Sequence, residues 1–398
     1  MFALLFIFIT TVIAYEDPER YMNVEERIRY WKYPVEVHKV TTKDGYHLDV
    51  QRIPQGRDER SIPTCGKKRP PILLMHGLFS SGAQFVLNPP ATNMAFIFAD
   101  AGFDVWIGNV RGTEYGRNHD SLDVLDAAFW NFTWYDFAHY DLKDTVEYIL
   151  DRTKEDGLFY VGHSQGTTVM FARLAEADLA WQKKIRAFFA LAPNAGSLHP
   201  LGPLNLLRIP FLESILQWLT QHVQSFGIGL PRFLSTLLGS VCGHPLLGQA
   251  CLTIGSISFE SREQINETRI PVYLEPFPSM TSTLNLLHWA QIYKYKNMHL
   301  IDRGRDWNLK AYGSEIPPAL NISNIHAPTE IFYSYDDTLT GAADVNDVIL
   351  KNIGPGLRKV YEYHHFTHVD YAIGMLAPDE IYHPIVQTIY NDIRREGC

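Results

Sequence analysis

The feature that most constrains the fold is a regular alternation of short apolar segments with segments of helical periodicity. Residues 35–38 and 47–53 flank the turn signal Lys43-Asp44-Gly45 and predict a β-hairpin. Six later apolar segments are typical of buried strands: residues 71–75, 104–107, 159–162, 187–191, 329–334 and 360–363. Segments with helical spacing occupy residues 93–101, 141–153 and 167–177. The alternation predicts an α/β fold with a mostly parallel, eight-stranded sheet and helices on both faces.

The alternation is interrupted between residues 194 and 317, where strand signals are few. Two stretches there carry apolar residues at helical spacing: Leu204, Leu207, Phe211, Leu212, Ile215 and Leu219, then Phe233, Leu234, Leu237, Leu238 and Val241. We interpret residues 194–317 as a mainly helical cap inserted into a core formed by residues 15–193 and 318–398. Ordinary core packing accounts for part of the apolar pattern. A cap that also covers a site must move, and its underside would then bind lipid.

The N-terminal residues 1–14 have the pattern of a signal peptide. An apolar run ends in Val12-Ile13-Ala14, with small residues at the positions that precede a cleavage site. The alternative, an uncleaved anchor, is disfavoured because roughly 13 apolar residues are too few to cross a bilayer, which needs about 20. No later segment is long and apolar enough to do so.

Cysteines and glycosylation sequons fit the same secretory route, to the extracellular lumen or the lysosome. The nine-residue separation of Cys242 and Cys251 suits a local disulfide, and Cys65 with Cys398 is possible by elimination. Asn-X-Ser/Thr sequons begin at Asn131, Asn266 and Asn321.

Charge and motif content exclude several classes of function. The formal net charge of −9 disfavours nucleic acid as a partner, and the 16 histidines would bring the charge towards zero in an acidic compartment. The sequence contains neither CxxC nor HExxH spacing, so we expect no metal and no cofactor. We expect a monomer.

The strongest chemical signal is the pentapeptide Gly162-His163-Ser164-Gln165-Gly166. This GxSxG follows an apolar strand and precedes a helix, which is the context of a nucleophile elbow. Glycines on both sides allow the strand and the helix to approach closely, and the helix N-terminus brings free N–H groups to the serine. Ser164 is therefore the candidate nucleophile.

A serine nucleophile needs a base and an acid that orients the base, and in this arrangement they follow in the order Ser, acid, His. The acid should follow the seventh strand and the histidine the eighth. The spacing alone leaves several candidates open: Asp336, Asp337 and Asp344 as the acid, and His364, His365 and His368 as the base.

Two backbone N–H groups are candidates for an oxyanion hole. The first belongs to Gln165, the residue after the nucleophile. The second should come from the loop after the third strand, His76-Gly77-Leu78, and we select the N–H of Leu78. His76 itself is expected to hold this loop in place.

Several motifs together resemble the acid lipase family, which includes gastric lipase and lysosomal acid lipase, and the resemblance runs from about residue 30 to the C-terminus. The matching stretches are His76-Gly77-Leu78, Asp104-Val105-Trp106-Ile107-Gly108-Asn109-Val110-Arg111-Gly112, Phe129-Trp130-Asn131-Phe132-Thr133-Trp134, Gly162-His163-Ser164-Gln165-Gly166-Thr167-Thr168, Asn285-Leu286-Leu287-His288-Trp289-Ala290-Gln291 and His368-Val369-Asp370-Tyr371.

The resemblance implies an α/β-hydrolase fold and assigns a role to each site residue. Ser164 would be the nucleophile, His368 the base, and Leu78 and Gln165 the oxyanion donors. Aligning the end of Ser334-Tyr335-Asp336-Asp337 with the family's turn favours Asp337 over Asp336 as the acid, although this turn departs from the family's Gly-Gly-Asn-Asp-like pattern. Cys242 and Cys251 coincide in spacing with the family's disulfide. Pro278-Ser279-Met280-Thr281 stands where the family more often has a small, Gly-containing turn.

The implied activity is hydrolysis of a lipid ester, bound at a lipid–water interface, through an acyl-enzyme. Triacylglycerol and cholesteryl ester remain alternatives as the substrate. The competing interpretations are an esterase for small soluble esters, an inactive lipid carrier on the same fold, and a serine peptidase.

Overall fold

The computed structural model describes residues 17–57, 69–199, 214–218, 225–230, 233–237 and 264–395. The predicted signal peptide lies outside the described residues. So do all four cysteines, and with them the predicted Cys242–Cys251 and Cys65–Cys398 pairs.

The strands, numbered in chain order, are β1 (Glu36–Thr41), β2 (Tyr46–Ile53), β3 (Pro71–Met75), β4 (Asp104–Ile107), β5 (Asn118–His119), β6 (Leu158–His163), β7 (Ile185–Leu191), β8 (Gly227–Ile228), β9 (Thr281–Ser282), β10 (Thr329–Ser334) and β11 (Leu357–Tyr363). The numbered α-helices are α1 (Val24–Tyr30), α2 (Met94–Asp100), α3 (Lys143–Thr153), α4 (Gln165–Ala175), α5 (Leu179–Gln182), α6 (Ile270–Leu274), α7 (Thr283–Tyr295), α8 (Arg305–Tyr312), α9 (Asp370–Ile373) and α10 (His383–Arg395).

Further short helical segments lie between these elements. Single α-helical turns at Trp134–Asp136 and Ala342–Asp344 each lead into a π-helical turn, at Phe137–Leu142 and Val345–Leu350. A third π-helical turn, Pro378–Tyr382, leads into α10. The 3₁₀ turns are Pro18–Tyr21, Gly82–Val86, Pro90–Thr92, Glu267–Arg269 and Ile322–Asn324.

Eight strands form one sheet in the order β1-β2-β4-β3-β6-β7-β10-β11, and the short β5 pairs with β2. The predicted hairpin is present, because β1 and β2 pair antiparallel. β2 also runs antiparallel to β4, whereas every neighbouring pair from β4 to β11 is parallel. The prediction of a mostly parallel, eight-stranded α/β sheet is confirmed.

The central strands β3, β4 and β6 are buried along their whole length because helices cover both faces of the sheet. In β3, Leu73 and Met75 pack into the hydrophobic cluster on one face, together with residues of α3 and α4. Ile72 and Leu74 point to the other face, where α2 and α10 pack. Along α10 the residues Ile385, Ile389 and Ile393, spaced four apart, meet this second cluster.

The carboxyl ends of the parallel strands meet at one edge of the sheet, where α/β proteins bind their ligands. β3 ends at Met75, β6 at His163, β10 at Ser334 and β11 at Tyr363. The segments that follow these strands carry all the residues singled out above as nucleophile, acid, base and oxyanion donors. The topology thus gathers residues that are as far apart in sequence as 78 and 368.

The described part of residues 194–317 packs α7 firmly against the core. Ser282, at the N-terminus of α7, donates a hydrogen bond from Oγ to Phe132 O (2.5 Å), and Ser225 Oγ donates to Trp130 O (2.6 Å). Residues 214–218 and 233–237 are helical, within the two stretches predicted to be helices. No described helix is long and apolar enough to cross a membrane.

Candidate active site

Ser164 occupies a strained turn between β6 and α4. Its φ of 53° and ψ of −120° lie in a region that non-glycine residues rarely adopt. A side chain at Gly166 would bring Cβ within 2.3 Å of Met75 O, so only glycine allows α4 to start this close to β3. The turn lifts the half-buried Ser164 side chain out of the sheet edge, as expected for a nucleophile elbow.

The structure brings Ser164, His368 and Asp337 together in one hydrogen-bonded chain. Ser164 Oγ lies 2.8 Å from His368 Nε2. On the other side of the ring, His368 Nδ1 lies 3.0 Å from Asp337 Oδ2 and 3.2 Å from Asp337 Oδ1. With the proton on Nδ1 donated to the carboxylate, Nε2 is free to accept the serine proton.

Asp337 is fully buried, and its carboxylate is held by the turn that follows it. The backbone N–H groups of Leu339 and Thr340 donate to Oδ1 (2.9 and 2.8 Å), and Thr340 Oγ1 donates to Oδ2 (2.7 Å). Burial alone would raise the pKa of Asp337, but the charge of His368 and these hydrogen bonds lower it below its ordinary value. The carboxylate therefore stays ionised opposite the imidazole.

The other candidate acids lie elsewhere. Asp336 is exposed. Asp344 is buried and holds the chain where it leaves the core, because Ser197 Oγ (2.6 Å) and the N–H groups of Leu198 and His199 (2.6 and 2.7 Å) donate to its carboxylate.

The other candidate bases also have different partners. His364 stacks on Tyr335 with ring centroids 4.6 Å apart. His365 pairs with Glu380 at 2.9 Å. Of the three candidate histidines, His368 is the one that contacts Ser164.

The loop after β3 lies directly against the serine. A Cβ at Gly77 would lie 3.1 Å from Ser164 Cβ and 3.5 Å from its Oγ, so the backbone of this loop borders the reacting oxygen. His76 Nδ1 donates to Gly77 O (2.9 Å), and His76 Nε2 accepts from Val110 N (3.4 Å), so the ring ties down the loop as expected. Burial lowers the pKa of His76 to about 4. Leu78 follows in this loop, and Gln165 is the first residue of α4, whose first-turn N–H groups have no acceptor within the helix.

Sequence reasoning missed a set of hydrogen bonds that ties three loops together behind the serine. Gln84 Oε1 accepts from Gly77 N (3.3 Å), while its Nε2 donates to His163 Nδ1 (2.9 Å). His163 Nε2 then donates to the backbone oxygen of His368 (2.8 Å). Burial, reinforced by the charge of His368, lowers the pKa of His163 to about 3 and keeps this ring neutral. The only sequence signal was the position of His163 inside the GxSxG motif.

The side chain of Gln165 has partners that the sequence analysis also missed. Its Oε1 accepts hydrogen bonds from Trp289 Nε1 (2.7 Å) and Asn285 Nδ2 (3.0 Å), both on α7. Both residues belong to the 285–291 stretch that carried part of the family resemblance. That stretch was a usable signal, but nothing in it revealed which core residue it contacts.

The three predicted sequons are all described. Asn131 and Asn321 are exposed, and Asn266 is half-buried. The side-chain oxygens of Asn266 and Asn321 each cap a short 3₁₀ turn.

Two protein-family models together span all the strands of the main sheet. Residues 70–368 match the family model described as "alpha/beta hydrolase fold", and residues 24–89 match "Partial alpha/beta-hydrolase lipase region".

Similar proteins cover nearly the whole chain. "Lipase lipl-1" of Caenorhabditis elegans is 36% identical over 394 residues, which are 96% of this chain and 95% of the relative. Human "Lysosomal acid lipase/cholesteryl ester hydrolase" is 36% identical over 379 residues, covering 93% and 91% of the two chains. Bovine "Gastric triacylglycerol lipase" is 34% identical over 381 residues, covering 95% and 93%.

Solved structures share the fold at low sequence identity. A soluble variant of the monoglyceride lipase of Saccharomyces cerevisiae superposes with a TM-score of 0.56 at 13% identity, covering 91% of this chain and 95% of the other. The epoxide hydrolase VrEH1 of Vigna radiata gives a TM-score of 0.51 at 15% identity, covering 90% and 98%. The resemblance first drawn from short motifs is confirmed by relatives that match along more than nine-tenths of the chain. The chain therefore belongs to the acid lipase family of α/β-hydrolases, the carboxylic ester hydrolases that include gastric lipase and lysosomal acid lipase.

Proposed function

We propose that this protein hydrolyses lipid carboxylic esters through an acyl-enzyme on Ser164. The observation that carries the proposal is the hydrogen-bonded chain from Ser164 Oγ to His368 Nε2 (2.8 Å) and from His368 Nδ1 to Asp337 (3.0 Å). This order of groups activates a hydroxyl that is otherwise a weak nucleophile.

In the proposed cycle His368 Nε2 takes the Ser164 proton as Oγ attacks the ester carbonyl carbon. The oxyanion of the tetrahedral intermediate accepts hydrogen bonds from the N–H groups of Leu78 and Gln165. His368 then gives its proton to the leaving alcohol, and the acyl group stays on Oγ. A water molecule, deprotonated by His368, attacks the acyl-enzyme, and the carboxylic acid leaves while Ser164 regains its proton. Asp337 orients the imidazole throughout.

The substrate class that we propose is a long-chain lipid ester at a lipid–water interface. The names of the relatives, triacylglycerol lipase and cholesteryl ester hydrolase, both support a lipid ester. Apolar side chains on the helical residues 214–218 and 233–237 also support it, because Trp218, Phe233 and Leu237 are 54%, 70% and 59% exposed. Such exposed apolar groups are typical of lipid-binding surfaces.

We further propose that residues 194–317 form a cap on the core of residues 15–193 and 318–398, in a monomer that follows the secretory route to the cell exterior or the lysosome. Removal of residues 1–14, a Cys242–Cys251 disulfide and glycans on Asn131, Asn266 and Asn321 belong to this proposal. Mass spectrometry of the protein from a eukaryotic secretory host, before and after reduction and endoglycosidase treatment, tests each of these features. An N-terminus at Met1 and three unmodified sequons would contradict it.

The decisive experiment compares wild type with Ser164→Ala on emulsified long-chain triacylglycerol and on a soluble short-chain ester. We expect the variant to lose on the order of 10⁶-fold in kcat, as serine hydrolases do when the nucleophile is removed. A fluorophosphonate probe should label wild type and the exposed-site control Ser121→Ala, but not Ser164→Ala. Retained hydrolysis by the alanine variant would refute the mechanism. Preference for the soluble ester would retain the mechanism and refute the lipid substrate.

A further inference from the structure

We infer that Asn285 and Trp289 on α7 are positioning residues for the oxyanion hole, acting through the side chain of Gln165. The inference rests on the proposed function, because it concerns the Gln165 N–H that we assign to oxyanion binding. It gives this part of the cap a role in the chemistry besides covering the site.

The contact joins the first residue of α4 to two donors of the cap. The Gln165 side-chain oxygen accepts from Trp289 Nε1 at 2.7 Å and from Asn285 Nδ2 at 3.0 Å. Gln165, Asn285 and Trp289 are 2%, 0% and 5% exposed, so water does not replace these bonds. A buried amide oxygen with two strong donors fixes its side chain, and a fixed side chain restrains the backbone N–H of the same residue.

The two donors are themselves firmly held. Asn285 Nδ2 also donates to Thr281 Oγ1 (3.0 Å), and Asn285 N donates to Ser282 Oγ (2.9 Å), which in turn donates to Phe132 O in the core. Trp289 packs in the main hydrophobic cluster with the helices of the core. The start of α7 is therefore held rigidly, and its two hydrogen bonds to Gln165 restrain the position of that side chain.

The same cap segment also touches the second oxyanion loop. Ser279 N donates to Phe79 O (2.7 Å), immediately after Leu78. Ser279 Oγ donates to Glu114 Oε2 (2.6 Å), and the other oxygen of Glu114 accepts from Ser81 Oγ (2.7 Å). Residues 279–289 thus contact both segments that carry a proposed oxyanion donor, the loop of Leu78 and the start of α4 at Gln165.

The test compares Trp289→Phe with a matched control, Trp134→Phe. Both tryptophans are buried, but among the described residues Trp134 Nε1 has no hydrogen-bond partner, so the control loses a similar ring volume without losing a bond. We expect Trp289→Phe to lower kcat on a soluble ester about tenfold with little change in KM, less than the about 10²–10³-fold loss seen when an oxyanion donor is removed outright. The control should stay within about twofold of wild type. Rates are normalised to active enzyme by fluorophosphonate titration, so that misfolded protein does not count.

A double-mutant cycle with Gln165→Met separates positioning from general damage. Methionine keeps the backbone N–H and removes the side-chain oxygen, so Trp289→Phe should add no further loss of kcat in that background. A trifluoromethyl ketone forms an adduct with the serine that carries an oxyanion. Its affinity for Trp289→Phe should fall in parallel with kcat/KM. Equal rates for Trp289→Phe and Trp134→Phe, or losses that multiply in the double variant, would overturn the inference. An active Ser164→Ala enzyme would instead overturn the proposed function.

Discussion

At the scale of single residues, the turn after β10 directs one of the three candidate carboxylates, Asp337, towards His368. Asp337 is buried and receives hydrogen bonds from the two N–H groups and the hydroxyl that follow it. Asp336, its neighbour, points outwards. The Asp344 carboxylate accepts hydrogen bonds from residues 197–199. The three carboxylates therefore lie in different environments, and of the three it is Asp337 that contacts His368.

We expect Asp337→Asn to lower kcat by about 10⁴-fold with the fold intact, since an amide holds the imidazole in the wrong tautomer. Asp336→Asn should leave kcat unchanged. Asp344→Asn should leave kcat near wild type but lower the unfolding temperature, because a charge-assisted clamp is weakened. Steady-state kinetics on a soluble ester and thermal unfolding of the three variants give the comparison. A large loss of kcat in Asp336→Asn would show that the acid has been misassigned.

Chain order alone predicted the two segments that the structure brings to Ser164, but it could not select one residue within each of them. The choice of Asp337 depends on where the loop backbone directs its N–H groups, which the spacing of the residues does not specify. The family's final His-X-Asp motif supplied the selection of His368 in advance. Gln84 and His163 could not be anticipated, because their contacts join loops that are far apart in sequence.

At the scale of elements, the strand–turn–helix unit around Ser164 depends on close backbone contact. Gly166 sits where a Cβ would lie 2.3 Å from Met75 O and 3.0 Å from His76 O. Neither backbone oxygen can move without shifting β3 and the loop that carries Leu78. Gly166 lies in an ordinary helix, so glycine is not required there for its backbone conformation. It is required because a side chain has no space.

We expect Gly166→Ala to destabilise the protein by about 3 kcal/mol or more and to abolish activity, as overpacking against backbone does. The matched control is Gly313→Ala after α8, where φ is +71° but nothing lies within 4 Å of the added carbon. That variant should lose only about 1 kcal/mol, from the left-handed conformation, and retain full kcat. Chemical denaturation and ester hydrolysis distinguish the two effects. Similar losses of stability in both variants would contradict the steric argument.

The predicted elements agree most closely with the structure where an apolar run has clear ends in the sequence. β3, β4 and β10 begin and end at the predicted residues, and α2 differs by one residue at each end. The segment predicted as a helix from residue 141 instead begins with a π-helical turn, Phe137–Leu142. A π-helical turn has no characteristic spacing of apolar residues by which the sequence could reveal it. Asp141, within this turn, forms a tertiary ion pair with Arg111. The two-residue strands β8 and β9 also lack a sequence signal, since tertiary pairing alone creates them.

At the scale of the whole molecule, three buried imidazoles connect stability to pH. Burial is the main cause that lowers the pKa of His76 to about 4 and the pKa values of His163 and His288 to about 3. An unfolded chain protonates its histidines near pH 6.5. Between about pH 6.5 and 4 the unfolded state therefore binds more protons at these positions than the folded state, and their contribution to stability falls as the pH falls.

We expect His288→Gln to make the unfolding free energy less dependent on pH in this window. His288 stacks on Trp134 and donates to His299 O (2.7 Å), and glutamine retains a donor without titrating. One fewer proton taken up on unfolding reduces the slope by about 1.4 kcal/mol per pH unit. Urea denaturation at several pH values between 4.5 and 6 measures it, with the exposed His383→Gln as control. An unchanged slope would mean that His288 is protonated in the folded protein.

The adjacency of β7 and β10 in the sheet has an evolutionary consequence. These strands pair in parallel although everything between residues 191 and 329 separates them along the chain. A segment whose two ends lie side by side can change in length or sequence while the sheet on either side of it stays in place. We therefore expect changes in this segment to be tolerated best where Asn285 and Trp289 still donate to Gln165.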